Sequence, residues 1–165
     1  MVVVRRRWRL FTACAAGLLA AAVLIWLSWP EPAPPRERHY RAFTACLLTD
    51  QRGLSGPDAA ASWAGMQRAS LATSIKVQYL SVVGEQTAEN AQGFFNTLGV
   101  QHCRLVVAVG AAPIAALVAG YRRFADSRFL VVGVSPDPAV PAVPAGTAAV
   151  VTSGVERQVT AAAAE

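Results

Sequence analysis

The stretch Arg104-Leu-Val-Val-Ala-Val-Gly110 decides the fold. It is a short apolar run, rich in β-branched residues, that ends on a glycine and is followed by Ala111-Ala-Pro113. A run of this length without polar alternation suits a strand covered on both faces. Pro113 suits the first turn of a helix, where a missing N–H leaves no bond unmade. The reading is therefore strand, glycine turn, helix, with the strand central in a parallel sheet.

The segments on either side repeat the pattern. Residues 41–49 and 75–83 predict strands, each followed by a helix, 59–71 and 88–98. Asp58 is the expected N-cap of the first helix, and Trp63, Met66 and Ala69 its buried face. Thr87 is the expected cap of the second; Phe94, Phe95 and Leu98 give it an apolar side, and Gly99 stops it. After the strand at 103–109 a helix is predicted over 113–124, packing through Leu117, Val118, Tyr121 and Phe124. Residues 128–134 predict another buried strand. Pro136, Pro138, Pro141 and Pro144 make 135–146 an irregular connection. Residues 147–152 predict a weak fifth strand, and a last helix starts at Ser153 or Gly154. Strands alternating with helices imply right-handed crossovers and an α/β fold. The expectation is a three-layer sandwich around a mostly parallel five-stranded sheet of order 2-1-3-4-5. In such sheets ligands lie beyond the carboxyl ends of the strands. That rim would hold Asp50 to Gly56, Gly84, Gly110 to Ala112 and Gly133 to Ser135.

The chain has 165 residues and 54% hydrophobic residues, with a mean hydropathy of +0.37. Much of the excess lies in LFTACAAGLLAAAVLIWLSWP, residues 10–30, which holds no charged residue. A bilayer span needs about 20 such residues. Trp26 and Trp29 suit an interfacial belt, and Arg5, Arg6, Arg7 and Arg9 before the run predict a cytoplasmic N-terminus. The segment before Pro30 offers no small-residue cleavage site, and Cys14 lies too early in it for a lipidation cysteine. The expectation is a basic flank at 1–9, an uncleaved single-pass transmembrane helix at 10–29, a proline-rich spacer at 30–40 that includes His39, and one extracytoplasmic domain at 41–165. Without those four arginines, eleven Lys+Arg stand against ten Asp+Glu. The net charge of +5 therefore reports topology rather than a nucleic-acid surface.

Chemistry-bearing residues are sparse. His102 is expected at the amino end of its strand, away from the rim. No Ser–His–acid or Cys–His set converges on the rim, the glycine-rich phosphate motifs are absent, and no spacing resembles a metal site. Neither enzyme activity nor a cofactor is expected. Asp50 reads as a turn residue or a ligand contact. Cys46 and Cys103 fall in predicted strands, where buried small apolar thiols are the expected state; an outward-facing compartment keeps a bridge between them open.

Cys46-Leu-Leu-Thr-Asp50, Gly53 and Trp63-Ala-Gly65-Met-Gln-Arg-Ala69 together resemble the opening of the basic-membrane-protein family. Arg104 to Gly110, Asp126-Ser-Arg-Phe-Leu-Val-Val132 and Val150-Val-Thr-Ser-Gly-Val-Glu-Arg157 resemble its third strand, its fourth strand and the segment before its second lobe. The resemblance covers 42–165. It implies the first lobe of a type I periplasmic-binding fold, as in nucleoside-binding lipoproteins of ABC importers. Asp50, Gly53 and Gly110 are then the candidate ligand-binding residues. The family's aromatic–asparagine loop is replaced here by Gly56-Pro-Asp-Ala-Ala60, its strand-four Asp by Gly133, and its second lobe is missing. The implied function is a membrane-anchored extracytoplasmic binding or interaction module, with a transporter component as partner. The alternatives are a nucleoside-like binding protein completed as a homodimer, and a truncated product without activity.

Overall fold

Parity along the strands sets the layers. In a computed structural model, which describes residues 40–165, strand β1 (Thr44–Thr49) sends Ala45 and Leu47 to one face and Cys46 and Leu48 to the other; all four are fully buried. Strand β3 (Leu105–Val109) is buried at every position. Its Leu105, Val107 and Val109 join the first face, and Val106 and Ala108 the second. This is the period-2 alternation of a strand, hidden in the sequence because both faces are covered.

Four helices supply the cover. Helices α1 (Pro57–Thr73) and α4 (Ala148–Ala164) lie on the first face, contributing Met66 and Ala69, and Val151, Val155 and Val159. Helices α2 (Ala88–Val100) and α3 (Ala111–Gly120) lie on the second, with Ala91, Phe95, Leu98, Ala116 and Leu117. The other strands are β2 (Lys76–Ser81), β4 (Arg128–Val132) and β5 (Ala142–Val143). The sheet order is β2-β1-β3-β4-β5, and every pairing is parallel. The expected α/β sandwich and strand order are thus observed. Residues 38–165 form a compact unit of their own.

Four details depart from the sequence reading. Residues 147–152 are not a strand: Thr147 caps α4 by accepting from the Val150 N–H at 3.4 Å. Val151, Val155 and Val159 recur at helical spacing, so burial on the sheet overrides their β preference. The fifth strand is Ala142–Val143, two residues inside the proline-rich connection. Helix α1 begins two residues early, with Gly56 at the cap, Pro57 in its first turn and Asp58 in that turn rather than at the cap. Gly99 does not stop α2, which runs to Val100.

Small residues bring α1 and α4 together. A Cβ on Gly65 would lie 2.5 Å from the Thr152 carbonyl oxygen, so this helix pair is closer than any side chain permits. The buried Thr152 hydroxyl donates to the Ala61 carbonyl at 3.0 Å. Trp63, expected on the buried face, is only half-buried and meets Tyr79 edge-to-face at 5.5 Å.

Cys46 and Cys103 are not free thiols. They form a disulfide with a Cα–Cα distance of 5.9 Å, and both are fully buried. That separation lies within the usual window for a bridge. Cys46 is in register with Gln78 on β2, whose side-chain amide contacts both sulfurs at 3.2 and 3.5 Å. Cys103 reaches this face because His102 takes a left-handed conformation, φ 57°.

The connection at 133–141 is held by side chains. The Tyr121 hydroxyl donates to Asp137 at 3.0 Å, and the Ala139 N–H donates to the same carboxylate at 2.9 Å. The predicted transmembrane helix, basic flank, Cys14 and most of the proline-rich spacer lie outside the described residues. Among the described residues, no helix is long and apolar enough to cross a membrane.

Candidate functional site

The carboxyl ends of β1, β2, β3 and β4 open onto one rim, and Asp50 stands at its centre. Strand β1 ends at buried Thr49, whose hydroxyl meets the Ser81 hydroxyl at 3.2 Å. The chain then turns, with the Gly53 N–H donating to the Asp50 carbonyl at 3.0 Å. The Asp50 carboxylate is occupied within that turn. It accepts from the Arg52 N–H at 2.9 Å, and from Arg52 Nε and Nη2 at 3.2 and 2.9 Å. This forked contact raises the Arg52 guanidinium above its ordinary pKa. A carboxylate so engaged is structural before it is anything else.

Gly110 faces this turn. Its φ of 100° suits glycine, and a Cβ there would lie 3.4 Å from the Asp50 Cβ and 3.6 Å from Oδ2. Asp50 and Gly110 therefore share one indentation with Arg52, Gly56, Pro57, Asp58, Ala59 and Val109, of about 70 Å³. Gly53 is not part of it. That residue is buried beneath the rim, at φ 57°, where a Cβ would approach the Ser81 hydroxyl at 3.0 Å. Of the three candidate residues, the fold brings two together.

The neighbouring loop is fixed by amides that sequence reasoning passed over. Gln86 donates to the Val82 and Gly84 carbonyls and accepts from the Gln51 N–H at 3.2 Å. Asn90 donates to the Val83 and Glu85 carbonyls at 2.9 and 2.7 Å. Its place three residues after the Thr87 cap was the available signal, since that position lies beside the incoming chain.

Two properties of the rim limit what it can hold. It carries the carboxylates of Asp50, Asp58, Glu85 and Glu89 against the single guanidinium of Arg52, which disfavours a phosphate or carboxylate ligand. Val83 and Val134 lie on it 69% and 87% exposed. Larger depressions open at the other end of the sheet, where Tyr40, Lys76 and Gln101 line one of about 600 Å³ and His102, Arg104 and Arg123 another of about 580 Å³. Both are shallow and lie away from Asp50. Among the described residues, no group of His, Cys, Asp and Glu has the arrangement of a metal site.

No protein-family model matches the chain, and no curated protein matches it. A crystallised fragment from Peptoclostridium difficile 630, provisionally named a lipoprotein, superposes with a TM-score of 0.59 at 12% identity, over 74% of this chain and 99% of that one. This likeness shows a shared fold. A transcriptional activator of the comK gene from Bacillus halodurans gives a TM-score of 0.44 at 14% identity. That match covers 62% of this chain and 31% of that one.

Proposed function

We propose that the chain is a membrane-anchored extracytoplasmic binding module, built like the first lobe of a basic-membrane-protein substrate-binding protein and acting through its rim on another macromolecule, such as a transporter component. The observation that carries this reading is the size of the indentation beside Asp50. At about 70 Å³ it is well below the ~300–1,000 Å³ of a small-molecule site. The exposed Val83 and Val134 on the same rim fit contact with a partner surface. The proposed role is binding rather than catalysis, a reading supported by the engagement of the Asp50 carboxylate with Arg52. The Cys46–Cys103 disulfide supports the outward location, since buried bridges persist in oxidising compartments. Membrane anchorage rests on the apolar run at residues 10–29.

A nucleoside-like ligand held between two copies is the second reading, favoured by the approach of Gly110 to Asp50. Thermal melts of residues 38–165 with a nucleoside panel separate the two. A ligand at 100 times its dissociation constant stabilises by about 2.7 kcal/mol, a readily measured rise in melting temperature. A flat response together with a monomer by light scattering supports the macromolecular reading, and a ligand-linked dimer overturns it.

A further inference from the structure

The described domain is nearly neutral, yet its charge is polarised along the strands. At the amino ends, β1 is preceded by Arg41, β2 begins with Lys76, β3 is preceded by Arg104 and β4 begins with Arg128. All four are exposed. The ladder aligns them: Thr44 is in register with Lys76, Arg104 donates its N–H to the Thr44 carbonyl, and Arg128 donates its N–H to the Arg104 carbonyl. With neighbouring strands about 4.8 Å apart, Lys76 and Arg128 begin roughly 14 Å from each other. Exposed Arg123 and His102 adjoin the row. Asp126 lines the same depression as Arg104 and Arg123, Glu165 pairs with Arg128, and Asp137 pairs with the neighbouring Arg122. Among the described residues, neither Lys76 nor Arg104 has an acidic partner within ion-pair distance. The opposite end is the carboxylate-bearing rim.

We propose that this basic face docks on the surface of an anionic phospholipid bilayer, so that the rim is held outward, away from the membrane. The proposal rests on the reading of residues 10–29 as an anchor. Three observations select a bilayer as the occupant. The described chain begins at this face: Tyr40 lies 47% exposed beside Lys76, and its amphipathic ring suits the headgroup level. The positive charges lie in a row across the sheet, within roughly two Debye lengths of each other, so a surface of many anions meets them together. The rim's carboxylates would be repelled by the same surface, which fixes the orientation as well as the attraction. Arg41 is held in the row by donating from Nη1 to the Ala163 carbonyl in the last turn of α4 at 3.0 Å, a contact that brings no carboxylate against its charge.

The test uses the full chain in lipid nanodiscs, one set of phosphatidylcholine alone and one containing phosphatidylglycerol, read by amide hydrogen exchange. Protection at residues 99–105 and 125–129 is expected in the anionic discs only, lost when salt is raised to about 0.5 M. The double variant Lys76→Glu, Arg104→Glu should lose that protection while β1 and β3 amides stay slow, and Lys76→Arg, Arg104→Lys should keep it. Each charge removed should weaken residence at the surface about fivefold. Equal exchange in both discs, or protection that survives charge reversal, overturns the docking proposal alone. A chain that co-elutes with neither disc overturns the anchor reading, and the proposal with it.

Discussion

Replacing both Cys46 and Cys103 by alanine should lower the stability of the domain by about 4 kcal/mol. The bridge closes a loop of sequence separation 57. The loop-closure relation gives about 14 cal/mol/K for a loop of that length, or about 4 kcal/mol at room temperature. For a domain of this size each kcal/mol moves the melting temperature by about 4 °C, so the drop should be about 15 °C. Cys46 and Cys103 are both fully buried, so the lost sulfurs add a small cavity term of the same sign. The assay is a thermal melt of residues 38–165 in three states: oxidised, fully reduced, and the double alanine variant. Reduced wild type separates the cross-link from the cavity, because it keeps the sulfur volume. Oxidised and reduced melts within a few degrees would refute the argument. So would alkylation of both cysteines in unfolded protein that has seen no reductant.

Three further outcomes follow from particular contacts. Gly65→Ala should destabilise by about 2 kcal/mol by chemical denaturation, because overpacking against the Thr152 carbonyl outweighs the gain in helix propensity; a neutral result would show that α1 and α4 can part freely. Gly110→Ala should cost about 2 kcal/mol through its φ of 100°, measured by urea melts, whether or not the rim binds anything. Asp137 is held below the ordinary carboxylate range by the Ala139 N–H first and the Tyr121 hydroxyl second, with Arg122 adding to it. A depressed folded pKa means stability present above the unfolded value and lost as pH falls through the folded one. Asp137→Asn should therefore weaken the domain near neutral pH and flatten its loss below about pH 4; parallel urea midpoints in the two pH ranges check this.

The layers and strand order could be read from the sequence because apolar runs and helical segments alternate with glycine at the switches. Gly110 and Thr87 stand where that alternation places them, Thr87 as an observed cap and Gly110 at the start of α3. The end of the sheet was not legible. Val150-Val151-Thr152 has the local preference of a strand, and only packing on the finished sheet makes it a helix. The two-residue β5 is too short to leave a pattern. The disulfide was hidden for another reason. Its formation depends on the register between β1 and β3 and on the left-handed turn at His102, and neither is written locally. At the rim, the pairing of Asp50 with Gly110 follows from strand adjacency, whereas the Arg52 fork depends on a side-chain rotamer.

The interior position of β1 has a mechanical consequence. Tension applied through residue 40 enters the domain at the amino end of a strand bonded on both sides, to β2 and to β3. Such a pull loads two ladders in shear together, so their bonds must yield as a group rather than unzip singly. Before that, it meets the Arg41 N–H bonded to the Ser74 carbonyl and the Arg41 guanidinium bonded to Ala163. Beyond Cys46 the covalent bridge carries the load straight into the segment before β3. Under tension the chain can therefore lengthen only as far as Cys46 while β1 and β3 remain cross-linked, and the rim at the far end of the strands is the last part to be disturbed.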